Sequence, residues 1–335
     1  MKPNYRLMVL AIVILFATAC SPAALPAPTQ PPPTQPPPAL PPPTEPPPTL
    51  TPLPPTEPPP PPTATASPAP SATATVVPSA TPVVAATPAI TEYVKLDDIT
   101  MYYAAYGEGE PLLLLHGMLG SGDNFEKQVP EFAQYYRVIT PDSRGQGRST
   151  DSDAPLSYHL MAEDMVRLMD HLKLDSAYIV GWSDGGNIGL DMAIHHPERV
   201  RALVTYGANT SPKGLTPSAI SFFRDSALET LQFRLGAEYL RLSATPDRLP
   251  AMIEQARQMA LNEPNFTKDE LAGITSPTLI ADGSWEQVID LNHVKAIARA
   301  IPGAELLLIP GADHYAPAAK PVEFNKTVLD FLKDK

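Results

Sequence analysis

The sequence after residue 90 predicts an α/β fold in which a mostly parallel sheet is covered on both faces by helices. Short apolar segments alternate with longer segments of helical periodicity, the order expected of strands joined by crossover helices. Residues 111–115 are apolar without interruption, as expected of a central strand buried on both faces. A tight turn at Ser183 leads from a predicted strand directly into a predicted helix. These observations predict one globular domain over residues 91–335.

The predicted strands each combine apolar side chains with flanking turn residues. Asp97 and Asp98 form the turn between the first two, and charged or glycine-rich loops follow most of the others. In chain order they cover residues 93–96, 99–106, 111–115, 136–141, 177–180, 201–206, 276–282 and 304–309. Because ligands bind at the carboxyl ends of strands in such sheets, the loops after these strands are the places to look for a site.

The predicted helices carry apolar residues at helical spacing. The clearest is 157–172, in which leucine and methionine recur three and four residues apart on what we interpret as a core face. In chain order the helices cover residues 125–133, 157–172, 187–196, 291–301 and 322–332. The segment 208–275 is also helix-patterned, with several faces of Phe and Leu, and lies between two predicted strands.

Proline separates this domain from the N-terminus. Of the 44 prolines, 28 fall in residues 21–90, among Thr, Ala and Ser. Such a segment lacks the large apolar side chains that offset the entropy of ordering, and its prolines favour extended polyproline II. We predict a disordered linker whose reach is at most roughly 200 Å, at about 3.1 Å per residue.

Residues 1–20 are typical of an export signal. Lys2 and Arg6 precede an apolar run at 7–19, which is too short to span a bilayer comfortably. Small residues then lead to Cys20, the only cysteine in the chain. The segment resembles a bacterial lipoprotein signal, although Ala17 stands where such signals usually carry leucine. The resemblance implies lipid attachment at Cys20 and a membrane-anchored protein of the cell envelope; a cleaved signal giving a secreted protein, or a short uncleaved anchor, is the alternative.

The charge of the chain argues against some partners. The first ninety residues contain two basic and two acidic residues, so the formal net charge of −12 belongs to the globular part. An acidic domain without a basic cluster is a poor candidate for binding nucleic acid or an anionic membrane surface. With a single cysteine, no internal disulfide can form.

The turn at Ser183 has the form Gly-x-Ser-x-Gly. Gly181 and Gly185 permit a strand-to-helix turn that pushes the serine hydroxyl outward. A serine hydroxyl is a poor nucleophile by itself, so this interpretation requires a base, an acid and oxyanion donors elsewhere in the chain.

Four motifs, in order, resemble those of the α/β-hydrolase family, of the single-domain esterase and peroxidase-like kind. They are His116-Gly117, the loop 142–149, the turn 181–186 and the segment 310–314, and the resemblance covers about residues 92–335. The resemblance implies a mostly parallel central sheet flanked by helices, with a small helical cap over about 208–275. It also implies a hydrolytic enzyme.

Carried over by position, the resemblance makes Ser183 the nucleophile and His314 the general base. The family's acid follows the penultimate strand in a Gly-x-x-Asp pattern, which places Glu286 at the acid position when Gly283 is aligned. A glutamate can orient an imidazole as an aspartate does. Asp282 and Asp290 are the alternatives.

The remaining expected site residues also follow from position in the family. The backbone N–H groups of Met118 and Asp184 should form the oxyanion hole. His116 and Trp182 either line the pocket or pack structurally. The other histidines show no metal-ligand spacing, and we expect neither metal nor cofactor.

Three hypotheses for function remain open. The first is a serine hydrolase that cleaves a small carboxylic ester through an acyl-enzyme on Ser183, with His314 as base and Glu286 as acid. The second uses the same triad for perhydrolysis, for a lactone or for a C–C bond. The third is a tethered ligand-binding protein that keeps the fold without the chemistry. The sequence leaves the natural substrate and the oligomeric state open.

Overall fold

The computed structural model describes residues 86–335, so the predicted signal segment with Cys20 and nearly all of the predicted linker lie outside the described residues. The described part contains one eight-stranded sheet with the order β1-β2-β4-β3-β5-β6-β7-β8. The strands are β1 Ile90–Leu96, β2 Ile99–Tyr106, β3 Glu110–Leu115, β4 Tyr136–Pro141, β5 Ala177–Trp182, β6 Val200–Tyr206, β7 Thr278–Gly283 and β8 Glu305–Ile309. β1 pairs antiparallel with β2, and β2 with β4, whereas every other pair is parallel.

Helices cover both faces of this sheet. They are α1 Val129–Phe132, α2 Tyr158–His171, α3 Asp184–His195, α4 Pro217–Asp225, α5 Leu228–Leu235, α6 Ala237–Leu242, α7 Leu249–Asn262, α8 Lys268–Ala272, α9 Leu291–Ala300, α10 Ala316–Ala319 and α11 Pro321–Leu332. Leu113 and Leu115 of β3 pack into one apolar core with α2, α3 and α9, while Leu112 and Leu114 pack into a second core with α1 and α11. Alternate side chains of one strand thus enter both cores, which explains why β3 is apolar throughout. The predicted fold class is confirmed.

One predicted helix is wrong in its extent. Residues 125–133 were expected to form a single helix, but the chain forms a 3₁₀ turn at Gly122–Phe125 and then the short α1. Pro130 lacks the backbone N–H that a helix interior requires and lies in the first turn of α1, where that N–H has no partner to lose. The helix therefore starts near the proline instead of running through it.

Five helices, α4 to α8, lie between β6 and β7, where the sequence predicts the cap. α6 is fastened to the loop after β3 by polar side chains. Ser121 Oγ donates to Glu238 Oε1 at 2.5 Å, and Arg241 donates to Asp123 Oδ2 at 2.7 Å. Arg148 donates to the same carboxylate of Asp123.

The loop after β4 is a scaffold held by buried ion pairs. Asp142, fully buried, accepts from the backbone N–H groups of Gly122 and Arg148 and from the Arg148 guanidinium. Arg144 is buried and donates two hydrogen bonds to Asp164 of α2. These bidentate, charge-assisted contacts fix the loop against the body of the domain.

No helix within residues 86–335 is both long enough and apolar enough to cross a membrane.

Candidate active site

Ser183 occupies a strained turn between β5 and α3. Its φ is 56° and its ψ −119°, a conformation that a non-glycine residue adopts only when the surroundings enforce it. Close packing of the neighbouring glycines and one backbone hydrogen bond hold the turn in this conformation. A Cβ atom on Gly185 would lie 1.9 Å from the Leu115 carbonyl oxygen, and one on Gly181 would lie 2.2 Å from the Gly185 carbonyl oxygen. Ser183 N donates to the Tyr206 carbonyl at 2.7 Å, and the serine stays partly exposed at the carboxyl end of the sheet.

The three side chains expected to act as nucleophile, base and acid lie in contact. Ser183 Oγ is 3.0 Å from His314 Nε2, and His314 Nδ1 is 2.9 Å from Glu286 Oε2. The side chain of His314 is 6% exposed and that of Glu286 is fully buried. Because the carboxylate can only accept, the ring proton of neutral His314 belongs on Nδ1, which leaves the Nε2 lone pair facing the serine hydroxyl. This is the hydrogen-bond order that nucleophile activation needs.

Glu286 is held as an anion by its surroundings. Burial raises the pKa of its carboxyl, but hydrogen bonding and Coulomb attraction from His314 outweigh burial and lower the pKa. The backbone N–H groups of Val288 and Ile289 donate to Oε1 at 2.5 and 3.2 Å. A carboxylate with backbone donors on one oxygen and an imidazole on the other has little rotational freedom. It therefore orients the ring as well as balancing its charge.

The two alternative acids lie elsewhere. Asp290 caps the N-terminus of α9, where its Oδ1 accepts from Asn292 N and His293 N. Asp282 is fully buried at the end of β7, accepts from Gly283 N, and has no hydrogen-bond contact with His314 within residues 86–335. Burial, a hydrogen bond to Glu286 and repulsion from that carboxylate raise the pKa of Asp282. Asp282 thus keeps its proton beside an ionised Glu286.

The two groups expected to form the oxyanion hole are the backbone N–H groups of Met118 and Asp184. Within residues 86–335, neither Met118 N nor Asp184 N donates a hydrogen bond to protein. Asp184 is the first residue of α3, so its N–H points out of the helix end, where negative charge is favoured. The loop that carries Met118 is close to the serine, since a Cβ atom on Gly117 would lie 3.2 Å from Ser183 Cβ.

The Asp184 side chain is buried and follows Ser183 directly in the chain. Its Oδ1 accepts from the Tyr158 hydroxyl at 2.8 Å, and its Oδ2 has no partner within residues 86–335. Burial raises the pKa of this carboxyl to about 6, opposed by the Tyr158 hydrogen bond and by attraction to His314. Burial thus favours the protonated form of Asp184 up to about pH 6.

His116 and Trp182 both use their polar atoms inside the protein. His116 Nε2 accepts from Ser143 N at 2.9 Å and its Nδ1 donates to Gly117 O at 2.8 Å, which joins the loops after β3 and β4. Burial lowers the pKa of His116, so the ring is neutral. Trp182 Nε1 donates to the His314 carbonyl at 2.8 Å and so anchors the loop that carries His314.

Sequence reasoning missed three supports of this site. Tyr206 donates to the Asp313 carbonyl at 2.5 Å, Tyr158 holds Asp184, and Gly207 lies against the His314 ring, where a Cβ atom would come within 2.7 Å of Cε1. No local pattern marks them, because each acts on a residue at least 26 positions away.

A cleft of about 450 Å³ lies beside Trp182, between α6 and the body of the domain. Its lining includes Trp182 but not Ser183, His314 or Glu286.

The described residues contain one group with donors spaced for a metal ion, His159, Asp191 and His195, and it is separate from the serine site. The sequence indicated no metal-ligand spacing, because His159 lies on a different helix from the other two.

Fold and site together define an α/β hydrolase. A family model described as the alpha/beta hydrolase fold matches residues 110–321. The chain belongs to this family of hydrolytic enzymes, and the family predicted from the four motifs is confirmed.

Individual relatives are also similar. Serine hydrolase BPHL of Mus musculus is 31% identical over 261 residues, which cover 74% of this chain and 88% of that protein. The putative carbamate hydrolase RutD of a Caulobacter species is 28% identical over 258 residues, covering 69% of this chain and 95% of the relative. Among solved structures, Est816, described as an N-acyl homoserine lactone degrading enzyme, is 31% identical with a TM-score of 0.61, covering 72% of this chain and all of Est816.

Proposed function

We propose that this protein is a serine hydrolase that cleaves a small carboxylic ester through an acyl-enzyme on Ser183. The observation that carries the proposal is the continuous hydrogen-bonded line from Ser183 Oγ through His314 to the buried carboxylate of Glu286. A binding protein of the same fold would have no need to keep all three groups in contact, or to hold the serine in a strained turn.

In the proposed reaction, Ser183 Oγ attacks the ester carbonyl carbon while His314 Nε2 takes the hydroxyl proton. The negative charge that develops on the carbonyl oxygen is accepted by Met118 N–H and Asp184 N–H. The C–O bond to the alcohol then breaks, and the alcohol leaves with the proton from His314. A water molecule gives a proton to His314 and attacks the acyl carbon. The bond from the acyl carbon to Ser183 Oγ then breaks, His314 returns the proton to Oγ, and the acid is released. Glu286 stabilises the imidazolium in both halves of the cycle.

A lactone is the second candidate substrate. It is a cyclic ester, so the same steps open the ring, and the alcohol stays attached to the product. What favours it is the likeness to Est816, described as a lactone-degrading enzyme and 31% identical to this chain. Perhydrolysis and C–C cleavage would use the same triad and are the other candidate reactions.

The proposal is tested by labelling the full-length chain with a fluorophosphonate and measuring intact mass. We expect one adduct in the wild type and none in Ser183→Ala. Ser218→Ala, which removes an exposed hydroxyl at the start of α4, is the matched control and should label as the wild type does. Hydrolysis of p-nitrophenyl esters and of N-acyl homoserine lactones then separates the two substrates. An unlabelled wild type, or equal labelling of Ser183→Ala and the wild type, would refute the proposal.

We also propose that the enzyme is exported and anchored to a bacterial membrane by lipid on Cys20, with residues 21–90 as the tether. The support is the order of positive residues, apolar run and cysteine at the N-terminus. Cys20→Ser should move the protein from the membrane fraction to the soluble fraction, whereas Ser21→Ala should leave its fractionation unchanged. A membrane-bound Cys20→Ser variant would contradict lipid anchoring.

A further inference from the structure

The start of α2 meets the end of α3 in a cluster of two imidazoles and one carboxylate. His159 is the second residue of α2, while Asp191 and His195 lie one turn apart at the end of α3. Asp191 Oδ1 is 2.9 Å from His159 Nδ1 and 3.1 Å from His195 Nδ1. His195 Nδ1 is also 3.1 Å from the Asp191 carbonyl oxygen. The two rings are 4.7 Å apart between centroids.

Asp191 is the unusual member of this cluster. Its side chain is 3% exposed, and within residues 86–335 no Lys or Arg pairs with it. Its Oδ1 is hydrogen-bonded to the two imidazole nitrogens, and its Oδ2 makes no hydrogen bond within residues 86–335. A buried carboxylate is costly unless a cation or several donors compensate it, and neutral imidazoles compensate it weakly.

Further carboxylates surround the cluster. Burial raises the pKa of Glu263, and the negative charge of Asp191 raises it further. Glu163 is hydrogen-bonded to His196 and lies 3.9 Å from Arg167, so its charge is balanced locally. Asp191, which no Lys or Arg pairs within residues 86–335, is therefore the charge that favours a bound cation over an anion.

We propose that Zn²⁺ binds between His159 Nδ1, His195 Nδ1 and Asp191 Oδ1. The three donor atoms lie within 4.8 Å of one another. Zinc bonds of about 2.0–2.1 Å at tetrahedral angles separate neighbouring donors by about 3.3 Å. The two distances from Asp191 Oδ1 need to change by only a few tenths of an ångström, whereas the two imidazole nitrogens must approach each other by up to about 1.5 Å through rotation of their exposed side chains. Both imidazoles bind as neutral rings with the proton on Nε2. They are 56% and 39% exposed, which leaves the fourth position open to water.

This zinc site is structural and not part of the serine chemistry. Ser183 precedes the first residue of α3, and the cluster lies at the opposite end of that 12-residue helix. At 1.5 Å per residue, Asp191 and His195 lie about 12 and about 18 Å from Ser183 along the helix axis. The ion joins α2 to α3, so its effect should be on stability, independent of ester hydrolysis.

Zinc binding is measured by isothermal titration calorimetry of the full-length chain with ZnCl₂, in detergent after EDTA treatment. All variants carry Cys20→Ser, which removes the single thiol that could bind zinc elsewhere. We expect one ion per chain and a rise in Tm of roughly 5 °C at zinc concentrations about 100-fold above Kd. Replacing Zn²⁺ by Co²⁺ should give visible absorption bands that report coordination by nitrogen and oxygen.

Three substitutions remove the donors one at a time. His159→Ala, His195→Ala and Asp191→Asn should each weaken zinc binding at least about tenfold and reduce the rise in Tm at the same zinc concentration to about half or less. The matched control is His171→Ala, which removes an exposed histidine at the other end of α2 and should bind zinc as the parent does. Circular dichroism without metal shows whether each variant is folded. If His195→Ala does not fold, His195→Gln is tested in its place.

Two results would overturn the site. One is zinc binding by His159→Ala and His195→Ala equal to that by His171→Ala, which would place the ion elsewhere. The other is a folded parent chain that shows neither heat of binding nor a change in Tm, which would leave the cluster as a hydrogen-bonded link between α2 and α3.

Discussion

Replacing Glu286 by glutamine tests the proposed acid, because the change keeps the shape and removes the charge. Oε2 accepts from His314 Nδ1 at 2.9 Å, while Oε1 accepts from Val288 N at 2.5 Å and from Ile289 N at 3.2 Å. Glutamine has one accepting oxygen and one donating nitrogen, so it cannot serve both sides. Either His314 Nδ1 or the backbone N–H groups of Val288 and Ile289 must therefore lose their acceptor.

We expect the side-chain oxygen of the glutamine to face the backbone N–H groups of Val288 and Ile289. Turning the amide nitrogen toward Val288 and Ile289 would leave two donors without an acceptor, at about 1–3 kcal/mol each. The amide N–H₂ therefore faces His314 Nδ1, which forces the ring proton onto Nε2. His314 then cannot take the Ser183 proton. The equivalent change in the chymotrypsin triad lowers kcat about 10⁴-fold, and we expect a fall of about 10³- to 10⁴-fold here, or roughly 4–5.5 kcal/mol.

The assay is steady-state hydrolysis of p-nitrophenyl acetate, with kcat and KM determined separately. Asp290→Asn is one control, since asparagine caps a helix about as well as aspartate. Asp282→Asn is the other, because an amide resembles a protonated carboxyl and can still donate to Glu286. Both controls should stay within about tenfold of the wild type, a loss of under about 1.4 kcal/mol. A Glu286→Gln enzyme within that range, or a larger loss in Asp282→Asn, would refute the assignment of the acid.

Two other substitutions test the supports of the site. Gly207→Ala places a Cβ atom 2.7 Å from His314 Cε1, so the ring is displaced and we expect kcat to fall about 100-fold. The φ of 67° is unfavourable for alanine, so the free energy of unfolding should fall by about 1–2 kcal/mol. Unchanged kinetics would mean that the His314 ring tolerates displacement. Because burial raises the pKa of Asp184 from 3.8 to about 6, the folded state binds more protons than the unfolded state between these values, and stability falls as pH rises from about 4 to about 6. Urea unfolding should show Asp184→Asn gaining about 3 kcal/mol relative to wild type between pH 4 and pH 8, and a gain independent of pH would contradict the burial argument.

The sequence by itself determined the fold class and the positions of all eight strands to within a few residues. This succeeded because strands buried on both faces must be apolar throughout, as in β3, and because helices that cover a sheet repeat apolar residues every three or four positions. The one helix predicted too long, 125–133, failed at Pro130, whose missing N–H ends a helix wherever it would have to be interior.

The sequence also indicated Ser183, His314 and Glu286, since each follows a predicted strand in the order of a known family. Tertiary structure decided what surrounds them. Asp282 and Glu286 are four residues apart, yet only the packed fold makes one keep its proton and the other lose it. His159 and His195 lie on different helices and are 36 positions apart in the chain, yet their rings are in contact. Periodicity along a chain reports which face is buried, whereas the partners of a buried charge depend on which elements pack together, and no local pattern records that.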